Sequence, residues 1–270
     1  MKPYYEDTNS GITIYHGDAL NVLATLQHQR VDAIVMDPPY ASGARQEAQR
    51  NSSGAMLRGE RWASKPIEND QMTTPGFIWL MREVCFAFKP ILKDGGSVLS
   101  FIDWRQWPNL LGALESTNLR VNQMVVWDKL SYGLGNGFRA QHELILHASK
   151  GTPTITSRAV GNVLGYRRDN NDDHPSPKPI GLMQNLIEVV TAPGDVVLDP
   201  FMGAGSTIRA AANLGRRAIG VELEERYCEI AANRLSQAVL PLATARPDAG
   251  AALGAGTNSR PGGGSDERSA

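Results

Sequence analysis

Residues 196–207, Val-Val-Leu-Asp-Pro-Phe-Met-Gly-Ala-Gly-Ser-Thr, lead from a short apolar strand through a glycine-rich turn into a helix. The alternation continues with a helix over 207–214, a strand over 217–221 and a helix over 225–238. Strands that alternate with helices in this way are typical of a parallel sheet with both faces covered. The sequence therefore predicts an α/β fold with a mostly parallel, twisted sheet and helices on both faces.

The turn in this stretch has the chemistry of a nucleotide site. Gly203 and Gly205 let a ligand approach the backbone, the next helix offers free N–H groups, and Glu222 can bind ribose hydroxyls. Packing alone would explain one glycine but not the whole set. The third glycine of a dinucleotide fingerprint and the Gly-Lys-Ser/Thr of a P-loop are both missing. S-adenosylmethionine, which has a ribose and an amino-acid zwitterion, fits better.

A second group of residues, Asp37-Pro38-Pro39-Tyr40, follows the apolar run 33–36. Two consecutive prolines cannot continue a strand, so a carboxylate and an aromatic ring are fixed at the carboxyl end of that strand. Ligands of open α/β sheets bind at this edge. The simpler alternative is an Asp-Pro turn with a tyrosine that only packs.

The remaining pattern predicts one catalytic domain over 1–240. Further strands are expected at 12–16, 97–102, 123–127 and 143–148, and further helices at 20–26, 75–88, 109–116 and 180–191. A turn is expected at 94–96, and 151–174 has an irregular, polar pattern. Residues 41–73 lack periodicity and predict a mobile loop, whereas small and polar residues over 241–270 predict a disordered tail.

Composition limits the classes of protein. The 270 residues are 41% hydrophobic and 20% charged, which is ordinary for a soluble globular protein. With neither an apolar stretch of bilayer length nor a signal-peptide core, the sequence predicts no membrane association and a cytoplasmic location. Cys85 and Cys228 form no CxxC pair, so neither a disulfide framework nor a metal site is expected.

Net charge is −1, which argues against an indiscriminate nucleic-acid coat protein but leaves a local basic groove open. Two basic sets could form such a groove, or could simply be solvated surface. The first is Arg45, Arg50, Arg58, Arg61 and Lys65, and the second is Arg139, Lys150, Arg158, Arg167 and Arg168.

Taken together, the motifs resemble those of the amino DNA methyltransferases. Residues 199–207 with Glu222 resemble the cofactor motif of this family, and residues 37–40 resemble its catalytic motif. Their order resembles the beta class, a circularly permuted form of the Rossmann-like methyltransferase fold. Further matches, in the same order, are Gly17-Asp18-Ala19-Leu20, Trp127-Asp128-Lys129, His142-Glu143, Lys150-Gly151 and His174 to Pro179. The resemblance covers approximately residues 11–238.

The resemblance implies a catalytic role for Asp37, Pro38, Pro39 and Tyr40. An exocyclic amine is a poor nucleophile because its lone pair is delocalised into the ring. If Asp37 and the Pro38 carbonyl accept its hydrogens, they favour a pyramidal nitrogen that can attack a methyl group. Tyr40 would stack on the flipped base.

The resemblance also implies a set of cofactor-binding residues. Asp18 would lie near the adenine of S-adenosylmethionine, and Ser176 and Lys178 would hold its methionine end. Asp18 could instead only cap a helix, and Lys178 could be a surface lysine. Trp127, His142 and Glu143 are expected to pack within strands. The complete set is Asp18, Ser176, Lys178, Asp199, Phe201, Gly203, Gly205, Ser206, Thr207 and Glu222.

The substrate implied by the resemblance is adenine N6 in double-stranded DNA, as in restriction-modification systems, because Asp37 rather than a serine heads the catalytic motif. N4 of cytosine, RNA, a protein amide and a catalytically silent nucleic-acid-binding relative remain alternatives. Carbon-5 chemistry is not expected, because it needs a nucleophilic cysteine and neither Cys85 nor Cys228 is suitably placed. DNA contacts are expected from the basic sets other than Lys150, with a small target-recognition region at 130–174. Homodimers are common in the family.

Overall fold

Nine strands form one sheet in the part of the chain that the structure describes. The structure is a computed structural model that describes residues 1–40, 72–133, 136–157, 160–168 and 178–237. The strands are β1 (Tyr5–Asp7), β2 (Ile12–His16), β3 (Val31–Met36), β4 (Leu92–Ile102), β5 (Arg120–Asp128), β6 (His142–Ser149), β7 (Val163–Gly165), β8 (Val196–Asp199) and β9 (Arg217–Glu222). Their order across the sheet is β1-β2-β9-β8-β3-β4-β6-β5-β7.

The strands β2, β9, β8, β3 and β4 are parallel to one another. At one end β1 pairs antiparallel with β2, and at the other end β6 runs antiparallel to both β4 and β5. β7 is parallel to β5. The amino end of β6 therefore lies at the edge where the parallel strands have their carboxyl ends.

Helices cover both faces of the sheet. They are α1 (Ala19–Thr25), α2 (Thr74–Phe88), α3 (Trp107–Glu115), α4 (Ile180–Val190), α5 (Ser206–Asn213) and α6 (Glu225–Ser236). Apolar side chains of α1, α2 and α3 form one core cluster with one face of the sheet, and those of α4, α5 and α6 form a second cluster with the other face. None of the helices in the described ranges is long and apolar enough to cross a membrane.

β3 shows why its sequence is a continuous apolar run. Ile34 and Met36 belong to the first core cluster, whereas Ala33 and Val35 belong to the second, and all four are fully buried. A strand that is covered on both faces needs apolar residues at every position. The strand ends at Met36 because the two prolines after Asp37 lack N–H donors.

The expected fold class is confirmed, and every predicted strand and helix is present, most of them with bounds shifted by only a few residues. The turn expected at 94–96 lies inside β4, which starts at Leu92; Gly95 has a φ of +80° there, and the pairing with β3 is irregular. Contacts group Met1–Ala238 as one compact unit. Residues 41–71 of the loop expected over 41–73, and the tail over 241–270, lie outside the described residues, and the domain limits stay a prediction.

Two strands were not predicted from the sequence. The region 151–174 is not irregular throughout, because Val163–Gly165 forms β7 and pairs with the end of β5. The amino-terminal Tyr5–Asp7 forms β1, which is the outermost strand on the side of the sheet away from β7. Both strands have three residues, which is too short for an alternating pattern to stand out from the neighbouring loops.

Candidate active site

Three carboxylates lie at the carboxyl ends of three adjacent parallel strands. Asp37 follows β3, Asp199 ends β8 and Glu222 ends β9. In the β6 pairing, Leu144 faces Ile102 at the end of β4, so the start of β6 reaches the same edge. The fold therefore brings the predicted catalytic and cofactor motifs, which are far apart in sequence, to one edge of the sheet.

Both oxygens of Asp37 have a partner. Oδ1 accepts a hydrogen bond from the Tyr40 hydroxyl, and Oδ2 lies 2.5 Å from Lys178 Nζ. Burial, with the nearby Asp37 carboxylate, raises the pKa of Tyr40 well above its ordinary value, so the hydroxyl stays protonated and donates. The Asp37 side chain is 31% exposed, and it remains accessible from the edge of the sheet.

Lys178 is buried next to this carboxylate, with a side chain only 6% exposed. Burial lowers the pKa of Lys178, but the carboxylates of Asp37 and Glu143 outweigh this and leave the pKa raised. Its ammonium group also lies 5.0 Å from the centre of the Phe101 ring and 5.7 Å from that of Tyr40. The alternative that Lys178 is a surface lysine is wrong.

Glu143 joins this cluster from the start of β6. Its Oε2 lies 3.4 Å from Lys178 Nζ, and its Oε1 lies 2.5 Å from Lys129 Nζ. Burial raises the pKa of Glu143, but the two lysines outweigh this and leave it lowered, whereas burial lowers the pKa of Lys129. The expectation that Glu143 only packs within its strand is wrong. In the sequence Glu143 is only a polar residue before the apolar residues Leu144–Leu146, and nothing in that pattern marks it as part of the site.

Glu222 closes the loop between β8 and α5. Its Oε2 accepts a hydrogen bond from the Gly203 N–H at 2.9 Å, and its Oε1 accepts one from the Glu224 N–H at 2.8 Å. Burial raises the pKa of this carboxyl group. Gly205 has a φ of +82° and a Cβ added to it would come within 2.8 Å of Ala231 Cβ, so the backbone conformation requires glycine.

Asp199 supports the same loop from inside. The side chain is buried and accepts hydrogen bonds from the Phe201 N–H, at 2.9 Å, and from the Thr207 hydroxyl. Burial raises the pKa of Asp199 to about 7. The Asp199 carboxyl group therefore helps to fix the conformation of the same loop that Glu222 binds through the Gly203 N–H.

Asp18 lies beside Glu222, because β2 pairs with β9 and the Gly17 N–H donates to the Glu222 carbonyl at 2.8 Å. Its Oδ1 accepts a hydrogen bond from the Asn21 N–H at 3.1 Å and caps α1. The capping alternative is therefore confirmed. The side chain is exposed at the same edge, so the cap does not exclude a ligand contact.

Several predicted DNA-binding residues are exposed. Arg139 stacks on the Tyr132 ring at 3.6 Å, and Arg167 and Arg168 follow β7. Just after β4, the guanidinium group of Arg105 lies 4.5 Å from the centre of the Trp104 ring. Ser176 and the basic residues Arg45, Arg50, Arg58, Arg61, Lys65 and Arg158 lie outside the described residues.

The hydrogen-bonding groups at this loop suit S-adenosylmethionine. Each oxygen of Glu222 accepts one backbone N–H and keeps a lone pair, so the carboxylate can also accept from ribose hydroxyls. Gly203 and Gly205, both with positive φ, bring the backbone of the loop to this carboxylate. Within the described ranges, no three His, Cys, Asp or Glu side chains are grouped as metal ligands.

Comparison with known proteins agrees with this geometry. Residues 31–233, from the start of β3 into α6, match the N6/N4 methyltransferase family, described as DNA methylase. YubD of Escherichia coli (strain K12), a protein named as a methylase, is 32% identical over 220 residues, which are 82% of this chain and 88% of YubD. The type II methyltransferase M.HinfI of Haemophilus influenzae is 28% identical over 257 residues, which are 83% and 68% of the two chains.

Solved structures are similar over the same region. M1.HpyAVI, in its complex with S-adenosylmethionine, is 26% identical with a TM-score of 0.61, over 83% of this chain and 99% of that one. The cytosine-N4-specific PvuII DNA methyltransferase has a TM-score of 0.68 at 17% identity, over 86% and 88% of the two chains, which is a likeness of fold. The family match extends over most of the sheet and includes Asp37, Glu143, Asp199 and Glu222, and the chain belongs to the N6/N4 family of DNA methylases.

Proposed function

We propose that this methylase transfers a methyl group from S-adenosylmethionine to the exocyclic N6 amine of an adenine flipped out of double-stranded DNA. The observation that carries the proposal is the Asp37 carboxylate, fixed after β3 between Tyr40 and Lys178 yet partly exposed. It lies at the same sheet edge as Glu222 and the glycine-rich loop. A carboxylate acceptor beside a nucleoside-binding loop suits transfer to an amine.

The amine nitrogen needs help because its lone pair is conjugated with the base. Asp37 accepts one of its hydrogens, and the carbonyl of Pro38 accepts the other. These two acceptors favour a pyramidal nitrogen whose lone pair points away from the ring. As the new bond forms, the nitrogen becomes acidic and Asp37 lies in position to take up the proton.

The flipped base needs a surface to replace its neighbours in the duplex. Tyr40 follows the rigid Pro38-Pro39 turn, and its ring packs against side chains of both core clusters. With the hydroxyl bound to Asp37, the ring is fixed relative to the carboxylate. Stacking on a fixed ring orients the amine toward Asp37.

The cofactor is held by residues on the other side of Asp37. When bound, S-adenosylmethionine supplies a sulfonium methyl group that is strongly electrophilic. Glu222 would accept hydrogen bonds from the ribose hydroxyls, and Asp18 would contact the adenine end. The loop from Asp199 to Thr207, which the Glu222 and Asp199 carboxylates hold by backbone hydrogen bonds, would form the wall of the pocket. The remaining residues proposed for this site are Phe201, Gly203, Gly205, Ser206 and Ser176; Lys178, which the resemblance also assigns to it, lies against Asp37.

The base and the polymer are decided in one experiment. Unmethylated duplex DNA, RNA and protein are incubated with the chain and with S-adenosylmethionine labelled in its methyl group, and labelled DNA is digested to nucleosides. We expect label in N6-methyl-2′-deoxyadenosine from DNA. Label in N4-methylcytosine would replace adenine by cytosine, and label only in RNA or protein would overturn the proposal.

The matched variant is Asp37→Ala. It removes the acceptor for the amine but leaves Glu222 and its loop intact, so we expect loss of methyl transfer with largely unchanged binding of S-adenosylmethionine. Full residual activity in D37A would contradict the role of Asp37. A protein that binds DNA but transfers no methyl group as wild type would point to the catalytically silent alternative.

A further inference from the structure

Four charged side chains of alternating sign form a chain that starts at Asp37. Lys178 Nζ lies 2.5 Å from Asp37 Oδ2 and 3.4 Å from Glu143 Oε2, and Lys129 Nζ lies 2.5 Å from Glu143 Oε1. The side chains of Lys178, Lys129 and Glu143 are only 6%, 9% and 16% exposed. The negative and positive charges balance within the cluster.

Such a cluster is not explained by stability. Buried ion pairs lose most of their attraction to the cost of desolvation, and apolar residues of similar size are often as stable. Trp127 and Phe101 already provide an apolar environment around the two lysines. The charges therefore need another explanation, and the group at the end of the cluster is Asp37.

The four residues come from four different places in the fold. Asp37 follows β3, Lys129 follows β5, Glu143 lies at the start of β6, and Lys178 precedes α4. Because β6 is antiparallel to β4, its first residues reach the edge at which Asp37 lies. Lys178 is thus fixed from β6, independently of the proline turn that carries Asp37.

We propose that Glu143 is a positioning residue for methyl transfer, acting through Lys178. Glu143 fixes the ammonium group of Lys178, and Lys178 binds Oδ2 of Asp37 and fixes the plane of that carboxylate. Oδ1 is then held in one orientation. It can accept a hydrogen bond from the amine, either in place of the one from the Tyr40 hydroxyl or in addition to it. This inference rests on the proposed function, but it is the same for adenine and cytosine.

Lys178 is also the cation in direct contact with Asp37. Its loss would therefore remove both the orienting partner of the Asp37 carboxylate and the positive charge beside it.

The family resemblance gave Lys178 a different task, at the methionine carboxylate of the cofactor. The two tasks differ in what a substitution changes. A lysine that holds the cofactor sets its Kd, whereas a lysine that orients Asp37 sets kcat. A substitution of Glu143 distinguishes the two tasks further. Glu143 contacts Lys178 but not Asp37, and it lies in no cofactor motif.

The test compares Glu143→Gln, Lys178→Met and the double variant E143Q/K178M for two quantities, kcat and the Kd of S-adenosylmethionine. We expect E143Q to lower kcat about 10- to 100-fold, the size of effect when a reacting group loses its orientation, with Kd changed less than about twofold. K178M should lower kcat at least as much, because it removes the group that contacts Asp37 directly. The double variant should match K178M alone, because Glu143 acts through Lys178.

The control is Lys93→Met, which removes a lysine paired with Asp32 at 2.6 Å at the opposite end of β3. It should leave kcat unchanged. If E143Q does not fold, as judged by its thermal transition, the double variant E143Q/K129Q restores the charge balance and takes its place.

The inference would be overturned if E143Q left kcat unchanged. It would also be overturned if the losses of kcat in E143Q and K178M multiplied in the variant that carries both substitutions. A rise of Kd in K178M in parallel with its loss of kcat would return Lys178 to the cofactor. A wild-type chain that methylates neither base would instead refute the proposed function, so the two failures are distinguishable.

Discussion

Glu222 Oε2 accepts a hydrogen bond from the Gly203 N–H at 2.9 Å, across the loop that joins β8 to α5. Glu222 Oε1 accepts from the Glu224 N–H at 2.8 Å, so one carboxylate ties the loop to the end of β9. The same side chain therefore shapes the loop and presents its remaining lone pairs to a ligand. Loop geometry and cofactor affinity should change together when it is removed.

Glu222→Ala should weaken the binding of S-adenosylmethionine. The variant loses the acceptor for ribose hydroxyls and leaves two backbone N–H groups without their carboxylate. A hydrogen bond to a charged group is worth about 1.5–3 kcal/mol, which corresponds to a rise in Kd of about 10- to 100-fold. Isothermal titration calorimetry measures it. Glu225→Gln, at an exposed position at the start of α6, is the control, and equal Kd values for the two variants would remove Glu222 from the site.

Gly205→Ala should destabilise the protein more than Gly215→Ala does. Both glycines have a positive φ, +82° and +68°, so both substitutions cost about 1–2 kcal/mol of backbone strain. Only at Gly205 would the new Cβ meet another atom, Ala231 Cβ at 2.8 Å, whereas Gly215 faces open space. Overpacking should add about 1–3 kcal/mol.

Thermal and urea unfolding of the two glycine variants measure this difference. Ala231→Gly in the G205A background should recover part of the lost stability, because it removes the contacting atom. The recovery is partial, since glycine inside α6 itself costs about 1 kcal/mol. Equal losses at the two positions would mean that α6 shifts freely away from Gly205.

The motifs that the sequence reveals are those that lie at strand ends and are contiguous. Asp37 with its prolines, and the loop from Asp199 to Thr207, each combine a strand end, a turn and a functional side chain within a few residues. The rule that parallel strands share their carboxyl edge then brings the two motifs together. Their placement at one edge was therefore predictable without the structure.

Glu143 and Lys129 were not predictable in the same way. Their position depends on β6 being antiparallel to β4 and on its register with β5, where Trp127 faces Glu143. Strand direction and register are properties of the assembled sheet and are not encoded in the local pattern. A buried glutamate thus looks like any polar residue at the start of a strand.

Asp199→Asn should make the protein less sensitive to pH. Burial raises the pKa of Asp199 to about 7, above the roughly 3.9 of an unfolded chain, so the folded state binds the proton more tightly. A raised folded pKa gives stability that is complete below about pH 4 and is lost as the pH rises through about 7. Asparagine keeps an acceptor for the Phe201 N–H without this titration.

Urea unfolding at several pH values between about 5 and 8 tests this expectation. The free energy of unfolding of D199N relative to wild type should increase with pH, by at most about 1.4 kcal/mol per pH unit, and level off above pH 7. Asp195→Asn, at the partly exposed start of the same strand, supplies the background pH dependence. A constant difference between D199N and wild type would mean that Asp199 is ionised throughout.

Arg139→Ala should weaken binding to duplex DNA of any sequence. Arg139 is exposed in the segment between β5 and β6, and its guanidinium group stacks on the Tyr132 ring at 3.6 Å, which limits the directions in which it can point. If it meets one phosphate, its removal should lower the slope of log K against log salt by about 0.9. Fluorescence anisotropy with a labelled duplex at several salt concentrations gives the slope.

Arg30→Ala is the matched control for this measurement. Arg30 is also exposed, but it precedes β3, so it lies at the amino end of the strand whose carboxyl end carries Asp37. Its guanidinium group donates to the carbonyls of Gln27 and Gln29, and a surface far from the catalytic edge should not contribute to the salt slope. The two variants therefore separate a local DNA-binding surface from a general effect of charge. Equal salt slopes for R139A and R30A would mean that DNA binds without contacting Arg139. A lower slope for R139A alone would place the duplex over the β5–β6 side of the catalytic edge.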